Sequence, residues 1–174
     1  MVTLGELQAE YIPSARQRAR LSWPEVKDIS HPKDVDLSLR VAEVFKAKPR
    51  RCWQNVFTAL LFSQGLKVLY VEGFAIPGDA AYPGSRQPHG WLELEGAVID
   101  PTWANDTKAV YFPGVKFTLA DALTWWEKPL EESEGRRTLL PLVYRLGNIG
   151  LNHPDYMRAL SEADGYGRLM WGKP

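Results

Sequence analysis

His89-Gly90-Trp91-Leu92-Glu93-Leu94-Glu95-Gly96-Ala97-Val98-Ile99-Asp100-Pro101-Thr102 is the stretch on which the fold turns. Apolar residues alternate with others from His89 to Leu94, the sign of a strand with one covered face. Glu95-Gly96 is a two-residue turn signal, and Ala97-Val98-Ile99 follows as a second short strand. A turn of that length pairs residues whose numbers sum to about 191, which places His89 opposite Thr102 and within diagonal side-chain reach of Asp100.

Upstream of this hairpin, residues 66–76 are rich in Val, Leu, Tyr and Phe without helical periodicity and read as a further strand. The loop between them holds Pro77, Gly78, Pro83, Gly84 and Pro88 and ends beside His89, where a substrate-selecting lid would sit. Cys52 to Ser63 is a helix candidate. Phe57, Leu60 and Leu61 share one side, Cys52 lies on the first turn, and Gly65 stands where a left-handed closing residue belongs. An earlier helix is predicted from Asp36 to about Lys48, with Leu37, Val41, Val44 and Phe45 at helical spacing, Asp34 or Asp36 as cap, and Pro49 closing it. The first residues contain a short amphipathic segment around Leu4 to Tyr11, a basic stretch Arg16 to Arg20, and the breakers Pro24 and Pro32.

Downstream, Val110 to Phe117 is extended or looped, and Thr118 caps a helix running to Trp126. Glu131 to Arg137 is a polar linker. A last helix begins at Pro154, with Asn152 or His153 as cap. Helices, a small antiparallel sheet and helices again make the class α+β. The expected organisation is a single domain over 1–174: an irregular arm (1–34), a catalytic core (35–126) and a C-terminal helical or irregular extension (127–174).

Composition narrows the function. The chain has 174 residues, 21 Lys plus Arg against 21 Asp plus Glu, three histidines and one cysteine. Zero net charge removes the long-range attraction that a nucleic-acid partner would exploit. One cysteine excludes an internal disulfide, and with three dispersed histidines it lacks the paired spacings of a structural zinc site. The longest apolar run, Ala59 to Phe62, is far below the ~20 residues that span a bilayer. Met1 to Glu6 lacks the basic and apolar regions of a secretory signal, so a cytoplasmic location is expected.

The chemistry is sought where the lone cysteine meets a histidine and a carboxylate. Cys52 opens a helix, His89 starts a strand and Asp100 ends the next. A thiol at a helix N-terminus faces unpaired N–H groups and the positive end of the dipole, which favour a thiolate and can hold an oxyanion. A carboxylate beside the imidazole would orient it, and the imidazole would exchange the thiol proton.

Arg51-Cys52-Trp53 followed by Val56-Phe57 resembles the Cys-Trp-x-x-Phe helix start of the transglutaminase-like superfamily, within the wider papain-like cysteine enzymes. His89-Gly90-Trp91-Leu92-Glu93 is similar to its His-x-Trp-x-Glu strand, and Val98-Ile99-Asp100-Pro101-Thr102 to its apolar-apolar-Asp-Pro-Thr segment. The resemblance covers residues 51–103. It implies a papain-like α+β core with Cys52 as nucleophile, His89 as base and acid, and Asp100 as orienter, and no cofactor or metal. Arg50-Arg51 stands where animal transglutaminases carry Gly-Gln, which turns the expectation from cross-linking towards hydrolysis.

Further candidates surround the triad. Gln54 and Asn55 lie on the first helical turn, near enough for an oxyanion or an amide substrate, although polar residues there commonly satisfy local backbone. Trp91 and Trp103 are candidates for lining the cleft against a default of core packing. Glu72 is a mid-strand carboxylate considered for substrate contact, and Arg50-Arg51 for attracting an acidic group. Trp125 and Trp126 cannot share one helical face, so one of them is expected to be exposed or interfacial. His31 and His153 flank prolines and are read as solvent-facing or capping.

The expected function is a thiol hydrolase cleaving a peptide, isopeptide or related amide bond in a protein or peptide substrate through a thioester acyl-enzyme. An acyltransferase or deamidase would use the same triad. A catalytically inert binding module, or an interaction protein using the basic arm, are the alternatives from another class.

Overall fold

The computed structural model of the chain describes residues 32–80, 85–126 and 141–171. Its sheet comprises β1 (Val68–Ile76), β2 (Gln87–Leu94), β3 (Ala97–Ile99) and β4 (Val110–Phe117), antiparallel throughout and ordered β3-β2-β1-β4. The hairpin has the register expected from its turn, with Leu94 opposite Ala97 and Leu92 opposite Ile99. Glu95 and Gly96 both adopt positive φ, 52° and 85°, the conformation of the twist-matched two-residue turn. Because β3 pairs only with Leu92–Leu94, the first half of β2, including His89, lies beyond the end of β3.

The outer edge of β3 is closed by residues 32–34. Asp34 N–H donates to Val98 O and Val98 N–H donates to Pro32 O, each at 2.9 Å. Asp34 then caps α1 (Val35–Val44), its carboxylate accepting from Leu37 N–H at 2.8 Å. The helix stops at Val44, four residues before the expected end, where Lys46 enters the left-handed region at φ 52°. Leu37, Val41 and Phe45 pack on the core as the periodicity predicts, whereas Val44 is exposed.

Strand alternation sorts the side chains onto two faces. Tyr70, Phe74, Leu92, Phe112, Val115 and Phe117 pack against the helices. Val71, Ala75, Trp91, Val98 and Tyr111 form a smaller cluster on the other face, with Trp103 and Ala109 against it. The faces are joined at a tight spot: a Cβ on Gly73 would lie 2.3 Å from Phe112 O, so only glycine permits this approach beside the bulge between β1 and β4.

On the helical face, α2 (Cys52–Leu61) buries Cys52, Asn55, Val56, Ala59 and Leu60. That stripe differs from the expected Phe57, Leu60 and Leu61, of which Phe57 and Leu61 are only half-buried. Gly65 does take the left-handed conformation, at φ 85°. Thr118 and Asp121 cap α3 (Leu119–Trp126) reciprocally: Asp121 N–H donates to Thr118 Oγ1, and Thr118 N–H donates to Asp121 Oδ2.

Residues 142–163 contribute side chains to the main core. Two short turns, α4 (Leu142–Arg145) and α5 (Asn148–Leu151), lead to α6 (Pro154–Trp171). Leu142, Val143, Leu146, Tyr156, Ala159 and Ala163 are buried in the main cluster. Pro154 opens α6 as expected, and His153 is the cap: its carbonyl accepts from Met157 N–H at 3.0 Å and its ring from Asp155 N–H at 3.3 Å. Trp125 packs half-buried on the core. The expectations for Leu4–Tyr11, Arg16–Arg20, His31 and Glu131–Arg137 lie outside the described residues, as does part of the loop before His89. No described helix is long and apolar enough to cross a membrane.

Candidate active site

Cys52 is the first residue of α2, and its side chain is 7% exposed. The preceding residue, Arg51, supplies no capping side chain, so the opening N–H groups of the helix lack the usual oxygen acceptor. Arg50 turns the chain into the helix with φ 60°, an uncommon conformation for a residue with a Cβ. Asn55 secures that turn. Its Oδ1 accepts from Lys48 N–H (3.0 Å), and its Nδ2 donates to Lys48 O (2.8 Å) and to Thr102 Oγ1 (2.9 Å). Both amide protons are used, so Asn55 acts as a tether between the helix start and the Asp100-Pro101-Thr102 segment rather than as a substrate contact.

His89 and Asp100 form the centre of the site. His89 Nε2 donates to Asp100 Oδ2 at 2.8 Å, with the two side chains 3% and 0% exposed. The same oxygen accepts from the Tyr111 hydroxyl at 2.9 Å. Oδ1 accepts from the N–H groups of Thr102 (2.8 Å) and Trp103 (3.2 Å), so the carboxylate also folds its own turn. Ser38, fully buried on α1, accepts from Asp100 N–H at 3.0 Å and donates to Asp34 O at 2.6 Å.

Electrostatics follow from this packing. Burial alone would lower the proton affinity of His89, but the charge and hydrogen bond of Asp100, aided by a hydrogen bond with Cys52, raise it to about 10. Burial alone would raise Asp100, but the His89 charge and the local N–H donors hold it below its usual range. With Nε2 on Asp100, Nδ1 is the nitrogen left for the sulfur. The structure joins His89 of β2 to Asp100 after β3, and Cys52 at the start of α2 is near enough to raise the proton affinity of the imidazole.

Trp103 lies over the imidazole, ring centroids 4.1 Å apart and planes 15° from parallel, a geometry that favours a cationic ring. Lys33 fixes the loop that carries it by donating to Trp103 O (2.5 Å) and Asp106 O (2.9 Å). Trp91 is 1% exposed and packs beneath the site, so it belongs to the core and not to the rim. Gln54 is half-buried on the first turn, and its Oε1, itself shut off from solvent, has no hydrogen-bond partner among the described residues.

Glu72 is not a substrate contact. It is 1% exposed and accepts from the Tyr70 hydroxyl, from Leu142 N–H (2.6 Å) and from Val143 N–H (2.8 Å), joining β1 to the start of α4. Burial raises its proton affinity from 4.5 to about 7 against the pull of these donors. The folded chain thus binds this proton more tightly than the unfolded chain. The associated stability is full below pH 4.5 and is lost as pH rises through about 7. Glu72→Gln is expected to flatten the fall in stability across that interval, a term on the order of 3 kcal/mol, in urea denaturation at several pH values. The separate decline from His89, full below pH 6.5 and lost through about 10, should persist; an unchanged slope between pH 4.5 and 7 would contradict the assignment.

Tyr111 and Ser38 are the members of the site that sequence reasoning missed. Tyr111 sits on a segment read only as extended or looped, and its place depends on sheet order. Ser38 carries a weak signal, a small polar residue on the inward side of an amphipathic helix. Among the described residues no three His, Cys, Asp or Glu side chains gather in a way that could hold a metal ion. No protein-family model, curated protein or solved structure matches this chain.

Proposed function

We propose that the chain is a papain-like, transglutaminase-like thiol hydrolase that cleaves a peptide, isopeptide or related amide bond through Cys52, His89 and Asp100. The observation that supports this is the buried His89–Asp100 pair, held by donors on both carboxylate oxygens, with Cys52 at an uncapped helix start near enough to raise the proton affinity of the imidazole.

His89 carries the thiol proton on Nδ1, as its raised proton affinity favours, and Sγ attacks the substrate carbonyl carbon. The oxyanion is received by N–H groups at the start of α2. As the tetrahedral intermediate collapses, the C–N bond breaks and His89 returns the proton to the leaving nitrogen. Water then attacks the thioester, gives a proton to His89, and the carboxylic acid leaves as the thiol is restored. Asp100 stays ionised throughout, and Trp103 shields its bond to His89 from water.

p-Nitrophenyl acetate tests this without knowledge of the natural substrate. A burst of nitrophenolate approaching one per chain is expected, with a single acetyl group located on Cys52 by mass spectrometry. Acetylation elsewhere with Cys52 free, or no burst at all, would sink the proposal.

A further inference from the structure

The Tyr111 hydroxyl meets the same oxygen of Asp100 that receives His89, at 2.9 Å against 2.8 Å. Its ring is 1% exposed and stands edge-on to Trp91, centroids 5.2 Å apart. Tyr111 comes from β4 at one side of the sheet, and Asp100 follows β3 at the other, so this contact links the two outer strands across one face.

A buried phenol needs an acceptor, and packing alone would give it one. The choice of acceptor is what matters. Asp100 is already placed by its turn N–H groups and by Ser38, so a further donor is not required to orient it. What a donor on Oδ2 changes is the charge that this oxygen presents to the imidazole. A hydroxyl bond disperses that charge and loosens the hold of the carboxylate on the histidine proton.

We propose that Tyr111 is a positioning residue that acts through Asp100 to set how readily His89 delivers its proton to the leaving group. This rests on the triad reading above. Without the hydroxyl, His89 holds its proton more tightly, and the penalty falls on leaving groups that must be protonated to depart.

A series of aryl acetates from p-nitrophenyl to phenyl reads this directly, because the demand for protonation rises along it. For Tyr111→Phe the acylation rate is expected to fall less than about twofold with p-nitrophenyl acetate and about tenfold with phenyl acetate. The alkaline limb of the pH–rate profile should move up by roughly half a unit to one unit. Added to Asp100→Asn, the substitution should have no further effect, since its route is gone. A 3-fluorotyrosine placed at position 111 keeps the hydroxyl and donates more strongly, so it should move the limb down; this variant answers the question even if Tyr111→Phe folds poorly.

An equal loss across the series with no shift of the limb would reduce Tyr111 to a packing residue, and an unchanged enzyme would remove it from the site. A wild-type chain that never acetylates Cys52 would instead overturn the triad reading itself.

Discussion

Alanine in place of Asp100 is expected to lower the stability of the fold by about 3–5 kcal/mol, the range for breaking one partner out of a buried ion pair. The carboxylate is fully buried and holds four donors: His89 Nε2, the Tyr111 hydroxyl and the N–H groups of Thr102 and Trp103. Removing it leaves these groups without an acceptor in a place water does not reach. It also removes the charge that raises the proton affinity of His89, after which burial lowers that affinity instead. Turnover should therefore drop about 10⁴-fold, as expected for losing the orienting carboxylate of a triad. Asp100→Asn keeps the shape and separates the effects. It should cost less stability and nearly as much activity, read by urea denaturation beside the nitrophenolate assay. Full activity in that variant would remove Asp100 from the mechanism.

Cys52→Ala has the opposite profile. The side chain is small and buried, and its removal costs about 1 kcal/mol of stability. The acyl-enzyme, however, cannot form, so the burst should vanish and turnover fall by about 10⁵-fold or more. A well-folded, inactive chain is the expected outcome. Residual turnover within about tenfold of wild type would place the nucleophile elsewhere or make the hydrolysis a side reaction of surface groups.

Local chemistry accounts for the parts of the structure that the sequence makes legible. The Glu95-Gly96 turn dictates the pairing of Leu94 with Ala97, and that register brings Asp100 to His89. Asp34, Thr118 and Pro154 announce their helices because capping is settled within a few residues. The α+β class with a small antiparallel sheet follows from the same signals. What stayed hidden depends on partners distant in the chain. Glu72 looks like an available carboxylate until its strand is set against Leu142 and Val143, 70 and 71 residues away. Asn55 shares the start of α2 with Cys52, yet its amide is taken up by Lys48 and Thr102. Tyr111 reaches Asp100 only because β4 pairs with β1 rather than with its neighbour in sequence, β3. Phe57 and Leu61 misled for a different reason: an apolar stripe two residues wide fits several rotations of a helix, and packing on the sheet chose the one through Val56 and Ala59.

On the proposed mechanism, His89 makes Cys52 chemically reactive in the folded chain. Alkylation of the native protein by iodoacetamide, followed as a rate across pH, tests it most directly. Rapid modification of Cys52 at pH 6 is expected, with a fall of about 100-fold in that rate for His89→Ala. Modification only after denaturation, or equal rates in the two proteins, would contradict it.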